Sequence, residues 1–265
     1  MKLESLRNTI FENFQDINQN FSKHHHRNYS VGITHEGLFL SQYEKSTHTV
    51  YRGATRVVNP MEAHGGSSQH WSLTNFYPSE ALMRDIYTQI FHEAKTPLFG
   101  KHIIEDQRLY GLLLTFFKSV YEGKEAIESE SAMIEALSYL IRHYAQTKTT
   151  SEESLDQAAL SRTIDLIRTQ AEHPISLACL AREAGLSKYH FLRTFKQHTG
   201  LTPHQYILSV RIQKAAEQII AGESIALASL NSGFSDQSHF TRHFKRIYGY
   251  TPHKIMQKRN IVLYK

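Results

Sequence analysis

Apolar residues near the start of the chain recur three or four positions apart, which is helical spacing. This pattern predicts a short amphipathic helix or a partly ordered arm over residues 1–22. The apolar positions are Leu3, Leu6, Ile10, Phe14 and Ile17. From about residue 24 to 77 the chain changes to short segments rich in Tyr, Val, Ile, Phe and Thr, broken by Gly, Asn and Pro. Closely spaced segments of this kind predict a small antiparallel barrel or sandwich.

Helical spacing returns after Pro78. Ser79 is suited to cap a helix over residues 80–94, and two more helices are predicted over 102–121 and 128–144. The last two are strongly apolar on one side and cannot stand alone. We expect them to pack on the barrel, on each other or on a second subunit.

Composition divides the chain into an acidic front and a basic back. Residues 161–265 hold 15 Lys and Arg against 6 Asp and Glu, a net of +9, and the first 160 residues carry −4. The basic part predicts a polyanionic partner. The predicted division is a first domain over 1–150, a polar linker over 151–160 and an all-helical second domain over 161–265.

The basic part contains the same order of residues twice. The offset is 48 from Gly185 to Gly233 and 49 from Phe191 to Phe240. The first copy reads Gly185, Ser187, Phe191, Phe195, Lys196, Gly200, Thr202 and Pro203. The second copy reads Gly233, Ser235, Phe240, Phe244, Lys245, Gly249, Thr251 and Pro252. This order predicts a duplicated module, too short for a solenoid.

Each copy predicts a helix, a glycine turn and a second, serine-capped helix. The glycine permits positive φ in the turn, and the serine is the predicted cap. The two phenylalanines lie four residues apart and therefore share the buried face, which leaves a polar and basic face outward. This is the helix-turn-helix arrangement, whose second helix enters the DNA major groove. The Thr202-Pro203 pair starts a helix that runs to about residue 221, roughly 28 Å long.

The two copies, GLSKYHFLRTFKQHTGLTP and GFSDQSHFTRHFKRIYGYTP, resemble the DNA-binding domain of the AraC/XylS family of bacterial transcription regulators. The resemblance covers about residues 161–259 and implies two helix-turn-helix units, joined by a long helix, on double-stranded promoter DNA. It places recognition helices at 188–197 and 236–246. The implied base-reading residues are Lys188, Tyr189, His190, Leu192, Arg193, Asp236, Gln237, Ser238 and Arg242, and Lys196 and Lys245 are expected at phosphates. Arg193 and Arg242 could instead form surface ion pairs with carboxylates.

The acidic part contains a histidine cluster that could hold a metal or line a pocket. His24 and His26 lie two positions apart on a predicted strand, so their side chains point to the same face. A histidine from a neighbouring strand could complete a metal site with them. Residues 20–80 also resemble the cupin-like sensor domain found in AraC/XylS regulators, through Asn59-Pro60-x-Glu62-x-His64-x-Gly66 and Trp71 to Tyr77-Pro78. Metal-using cupins carry a glutamate shortly after the histidine pair, whereas here the first carboxylate is Glu36. We therefore expect no metal ligand and no cofactor.

The expected alternative to a metal is a small effector bound inside the barrel. The candidate lining residues are His24, His26, Tyr29, Glu62, His64 and Trp71. Some of them could instead only form hydrogen bonds within the barrel. His25 is expected to face outward, and His48 and His70 are expected in loops.

The predicted fold class is thus α+β with two domains: a cupin-like β-barrel with a helical dimerisation segment, and an all-α double helix-turn-helix domain. The predicted function is an effector-controlled, sequence-specific transcription regulator, an activator, acting as a homodimer with RNA polymerase as a further partner. We predict no catalytic residue and do not expect the protein to be an enzyme. The single cysteine, Cys179, excludes an internal disulfide. The sequence has no apolar run of ~20 residues, so we expect no membrane partner and a location in the cytoplasm. The alternatives are a metal-dependent cupin enzyme fused to a DNA-binding domain, and a constitutive regulator whose barrel only dimerises.

Overall fold

The structure is a computed structural model that describes residues 10–44, 46–124, 126–146, 155–257 and 261–263. An antiparallel sheet domain with three helices precedes a domain of seven helices in these ranges. This confirms the predicted two-domain α+β class. No helix in the described ranges is long and apolar enough to cross a membrane.

Eight of the described strands form one antiparallel sheet in the order β10-β1-β6-β3-β5-β8, with β2 paired to β6 and β4 to β3. The long strands β3 and β6 form its centre, and β7 pairs with β9 apart from it. The strands are β1 (Ile10–Ile17), β2 (Asn20–His24), β3 (Ser30–Gln42), β4 (Thr47–Val50), β5 (Thr55–Val58), β6 (His64–Phe76), β7 (Leu98–Phe99), β8 (Ile103–Ile104), β9 (Ala145–Gln146) and β10 (Ile261–Leu263).

The helix predicted at the start of the chain is wrong over its described part, because residues 10–17 form β1 and residues 20–24 form β2. Phe11 pairs with Phe76 across β1 and β6, and their rings stack with centroids 5.8 Å apart. Phe14 is buried on the opposite side of the same strand. Burial of both faces of β1 against the sheet outweighs a weak helical pattern. Residues 1–9 of the predicted helix lie outside the described residues.

Three helices cover one face of the sheet: α1 (Glu80–Phe91), α2 (Gln107–Tyr121) and α3 (Ala126–Tyr144). Ser79 accepts a hydrogen bond from the backbone N–H of Leu82 and caps α1 as predicted. α2 begins later than predicted because Ile103 and Ile104 form β8, and Asp106 supplies the cap. The helices pack on the sheet and on each other, which confirms two of the three predicted solutions for their apolar sides.

The second domain contains α4 (Leu155–Gln170), α5 (Leu177–Glu183), α6 (Lys188–Thr199), α7 (Pro203–Ile220), α8 (Ile225–Asn231), α9 (Gln237–Tyr248) and α10 (His253–Gln257). Residues 155–160 of the predicted linker are therefore helical, and residues 147–154 lie outside the described residues. The predicted domain boundaries themselves stay a prediction.

The repeat folds as two helix-turn-helix units. Gly185 and Gly233 have φ values of 67° and 88°, which supply the turns. Ser187 caps α6 as predicted, but the cap of α9 is Asp236 rather than Ser235. The extra residue in the second copy moves the helix start by one position. The four repeat phenylalanines are fully buried, which confirms their core role: Phe191, Phe195, Phe240 and Phe244.

The face of the sheet opposite α1–α3 lies against the second helix-turn-helix unit. Phe14, Phe39 and Trp71 of the sheet share one apolar core with α7, α8 and α9. The Phe14 ring lies 5.3 Å from the ring of Tyr250, measured between centroids. This shared core stabilises the contact between the two domains, because separating them would expose its apolar surface to water.

Candidate DNA-binding surface and effector cavity

The recognition helices α6 and α9 present their predicted DNA-contacting side chains to solvent. Ser187 and Asp236 fix where each helix begins, and the buried phenylalanines fix which face turns outward. The exposed candidates are Lys188, His190, Leu192, Arg193, Lys196, Asp236, Gln237, Ser238, Arg242 and Lys245. The side chain of Tyr189 lies outside the described residues. Both recognition helices therefore turn their predicted contact residues away from the protein core.

Two details refine the individual roles on this surface. Arg193 and Arg242 form no ion pair with any carboxylate in the described part of the chain, so the surface ion pair considered from the sequence is not formed there. Asp236 accepts hydrogen bonds from the backbone N–H of His239 at 2.7 Å and from the Ser235 hydroxyl at 3.0 Å. These bonds lower the pKa of Asp236, the backbone bond most. This carboxylate is thus engaged in holding the start of α9.

A cavity of about 60 Å³ lies between the sheet and α9. Its apolar wall includes Phe39 and Trp71, whose rings stack with centroids 4.1 Å apart. Its polar wall includes three histidines, one arginine and one glutamate: His24, His26, His64, Arg56 and Glu12. An apolar cavity with a few convergent polar groups is the usual form of a small-molecule site.

His24, His26 and His64 meet at the junction of β2 and β6. β2 ends at His24, which pairs with His64 at the start of β6. One ring nitrogen of each histidine lies within 4.8 Å of the others. The Nδ1 atoms are each hydrogen-bonded to a backbone carbonyl oxygen: His24 to Ser22 at 2.8 Å, His26 to Asn28 at 2.7 Å and His64 to Glu62 at 2.8 Å. This confirms the expectation that the three lie together.

All three rings are neutral near pH 7. Burial lowers the pKa of His24 to about 4 and that of His26 to about 3, and it holds the pKa of His64 well below its ordinary value. The mutual repulsion of the rings and the nearby Arg56 guanidinium act in the same direction. The cluster therefore presents ring nitrogen lone pairs rather than positive charge.

Two of the residues predicted to line the effector site lie away from the cavity. Tyr29 is buried in the core beneath α1–α3, and its hydroxyl donates to the carbonyl oxygen of Pro97 at 2.5 Å. Glu62 Oε1 lies 2.8 Å from His102 Nε2, and its second carboxylate oxygen accepts hydrogen bonds from Asn59. Of the predicted set, His24, His26, His64 and Trp71 line the cavity.

The sequence reasoning missed several cavity residues. Arg56 lies on β5, and its Nε donates to Ser41 Oγ at 3.0 Å. Glu12 is buried and accepts hydrogen bonds at 2.8 Å from the hydroxyls of Tyr77 and Tyr250. Burial raises the pKa of Glu12, while these hydrogen bonds act against that shift. No local pattern in the sequence marked either residue as part of a cavity.

The interpretation of His25 as an outward residue is wrong. Its side chain is 1% exposed and packs on Tyr206 of α7, with ring centroids 4.1 Å apart. Its backbone oxygen accepts from Gln213 Nε2 at 2.6 Å, and the N–H of Arg27 donates to Gln213 Oε1 at 3.2 Å. The side opposite His24 and His26 is covered by the DNA-binding domain, so it is not solvent. His48 and His70 also differ from expectation, since they lie on β4 and β6.

The fold and the two sites define a class: a ligand-binding sheet domain joined to a DNA-binding double helix-turn-helix domain. The family model for an AraC-like ligand binding domain matches residues 12–140, and that for a helix-turn-helix domain matches residues 180–258. The chain belongs to the AraC family of transcription regulators, which are DNA-binding proteins controlled through a ligand-binding domain.

Similar proteins have the same organisation over most of their length. The chain is 27% identical over 231 residues to the uncharacterized HTH-type transcriptional regulator YbfI of Bacillus subtilis strain 168, covering 85% of this chain and 83% of that protein. It is 24% identical to the HTH-type transcriptional activator RhaS of Klebsiella pneumoniae strain 342, covering 92% and 90%. The crystal structure of unsaturated fatty acid-bound wild-type ToxT from Vibrio cholerae has a TM-score of 0.65 at 12% identity, with 97% of each chain covered. This last likeness shows a shared two-domain fold.

Proposed function

We propose that the chain is a transcription activator whose DNA affinity is set by a small anion in the cavity between the sheet and α9. One observation carries the proposal: Ile247 and Tyr248 line this cavity and belong to α9, the helix that presents Arg242 to solvent. An effector in the cavity therefore touches a recognition helix directly. Such coupling between two binding sites is typically worth ~1–3 kcal/mol.

The chemistry of the cavity favours a small anion. Arg56 forms no ion pair with a carboxylate among the described residues, and it lines a cavity whose histidines are neutral. A guanidinium is suited to bind a carboxylate through two parallel hydrogen bonds. The volume of about 60 Å³ is far below the roughly 300–1,000 Å³ of pockets for drug-sized ligands.

The proposed DNA contacts are divided between base reading and phosphate binding. The base-reading set is Lys188, Tyr189, His190, Leu192, Arg193, Asp236, Gln237, Ser238 and Arg242, and the phosphate set is Lys196 and Lys245. The exposure of Arg193 and Arg242 on the two recognition helices supports the first assignment. An arginine bonds guanine O6 and N7 together, which is worth ~1–3 kcal/mol against the wrong base.

In vitro selection from a random duplex library tests the DNA-binding assignment. The selected duplex should bind with a log affinity that falls with log salt concentration. Arg242→Ala should weaken binding by ~1–3 kcal/mol and relax the preference at one base pair. Arg182→Ala on the exposed side of α5 is the matched control and should bind as wild type. Recovery of no sequence, or equal effects of the two substitutions, would contradict the assignment.

Thermal unfolding with acetate or pyruvate as probe tests the effector class. Either anion should raise the Tm of the wild type. At 100 times its Kd, a bound ligand adds about 2.7 kcal/mol to the free energy of unfolding. Arg56→Gln should abolish the shift, and Arg84→Gln, which removes an exposed arginine of α1 away from the cavity, should retain it. An equal shift in both variants would show that the anion does not bind beside Arg56.

The remaining assignments are oligomeric and cellular. We propose a homodimer formed through the helical segment 79–146, contact with RNA polymerase, and action in the cytoplasm where promoter DNA is found. The naming of RhaS as an activator and of YbfI as a regulator supports a regulator over the enzyme alternative. Native mass spectrometry of the full chain tests the dimer, and a monomer at micromolar concentration would refute it.

A further inference from the structure

We propose that His24, His26 and His64 form a binding site for one divalent transition-metal ion of the kind that prefers imidazole ligands, with zinc as the reference ion. This inference departs from the expectation that the chain holds no metal. It does not rest on the proposed function, because the three histidines would hold an ion whether or not an anion controls DNA binding.

The hydrogen bonds of the three rings define the donor atoms. A backbone carbonyl oxygen only accepts, so each Nδ1 that meets one must carry the ring proton. Each Nε2 is then an unprotonated donor atom. None of the three Nε2 atoms has a hydrogen-bond partner within the ranges that the structure describes. Metal-bound histidines are oriented in the same way, with the other ring nitrogen donating to a carbonyl or carboxylate.

The cluster offers a cation three ring nitrogens that line a cavity and have no partner within the described residues. All three side chains are buried, at 4–7% exposure. Three unprotonated nitrogens cannot hydrogen-bond to one another, and the described part of the chain offers none of them another donor. A cation at their centre would satisfy all three lone pairs at once.

The spacing fits a metal after a small inward movement. With zinc–nitrogen bonds of ~2.0–2.1 Å, tetrahedral ligand atoms lie about 3.3 Å apart. One ring nitrogen from each of the three histidines lies within 4.8 Å of the others. His24 and His26 flank His25 at the end of β2, so rotation of the rings can close the distance without any change in strand pairing.

The donor set and its surroundings indicate an open site. Three imidazoles and no thiolate or carboxylate suit zinc, cobalt, nickel, copper or ferrous iron rather than magnesium or calcium. Three protein ligands leave a fourth position, which faces the cavity. Arg56 lines the same cavity, and its positive charge would repel a divalent cation. An anionic fourth ligand beside Arg56 would reduce this repulsion.

Cobalt titration of the full-length protein tests the site, with Trp71 as an internal reporter. Trp71 is the single tryptophan of the chain and lines the cavity. After EDTA treatment and buffer exchange, one Co²⁺ per chain should bind, absorb in the visible range and quench Trp71 fluorescence. Zn²⁺ should displace it and restore the fluorescence. Zn²⁺ should also raise the Tm of the protein.

Variants separate this site from adventitious binding. His64→Ala should weaken Co²⁺ binding by at least ~100-fold, the upper end of what the loss of a supporting partner costs. His26→Gln is the second variant, in case His64→Ala does not fold, and circular dichroism checks both. His48→Ala removes an exposed histidine and should bind as wild type. Quenching that is absent in the wild type, or unchanged in both cavity variants, overturns the inference.

The outcome also separates this inference from the proposed function. If Co²⁺ fails to bind while acetate or pyruvate still stabilises the protein through Arg56, the metal site alone is refuted. If Co²⁺ binds as expected while no anion changes stability or DNA affinity, the metal site stands and the proposed effector control is refuted.

Discussion

Gln213 offers the sharpest single test of how the two domains communicate. It lies on α7, the helix that joins the two helix-turn-helix units, and its side-chain amide bonds the backbone on both sides of His26. It donates to the oxygen of His25 at 2.6 Å and accepts from the N–H of Arg27 at 3.2 Å. Gln213→Ala removes both hydrogen bonds and leaves the core of α7 unchanged. We expect the 25–27 segment to detach from α7.

The expected magnitude follows from two hydrogen bonds. A typical one contributes about 0.5–1.5 kcal/mol net, so the pair contributes about 1–3 kcal/mol. Gln213 is half-buried, and water can partly replace these bonds, so the lower half of this range is expected. Since ~1.4 kcal/mol is a factor of ten in an equilibrium constant, the Arg27 amide should exchange its hydrogen about 5- to 30-fold faster.

Hydrogen exchange of residues 24–30 and affinity for the selected duplex measure the effect. Gln218→Ala is the matched control, because Gln218 is also a half-buried glutamine on α7 but reaches Ser232 within the second domain. The account requires faster exchange and a changed DNA affinity in Gln213→Ala only. Exchange and affinity equal to those of Gln218→Ala would refute the reasoning that α7 is anchored through this residue.

Three further predictions concern stability and domain contact. Gly233→Ala should destabilise more than Gly185→Ala, because both positions have positive φ but only at Gly233 would the new methyl group meet a backbone atom, the Glu172 carbonyl oxygen, at 2.5 Å. Thermal unfolding compares the two variants. Phe244→Ala should lower the free energy of unfolding in urea by about 3–5 kcal/mol, because the ring is fully buried. Leu192→Ala, on the exposed face of α6, is the control, and equally small effects of the two substitutions would contradict the shared core. Tyr250→Phe should cost about 1–3 kcal/mol, because it removes the hydroxyl that donates to buried Glu12 at 2.8 Å, and an unchanged denaturation midpoint would show that water replaces it.

The helix-turn-helix units could be predicted from the sequence because their determinants are local. A glycine turn, a cap and a pair of phenylalanines lie within about ten residues, so a repeat reveals both the helices and their buried faces. Ser187 was predicted correctly for this reason. The single miss was the cap of the second unit, where Asp236 competes with the adjacent Ser235.

The sheet domain and the cavity were only partly predictable because their determinants are distant in sequence. β1 was mistaken for a helix, since its burial depends on pairing with β6, about 60 residues away. Glu12 and Tyr248 line the cavity from opposite ends of the chain, and no local motif joins them. His25 was predicted outward from strand alternation alone, which holds only when solvent covers the second face.

The central claim is that the cavity and the recognition helices are coupled, and reciprocity allows a test before any effector is known. If an effector changes DNA affinity, DNA must change the affinity of the cavity for that effector by the same factor, and we expect a cavity that differs between the free and the DNA-bound protein to be the structural basis of this change. Hydrogen exchange of residues 24–27 in the full-length protein, with the selected duplex and with a scrambled duplex, measures this directly. The account predicts altered exchange at this segment with the selected duplex only. Identical exchange in both complexes would contradict the coupling.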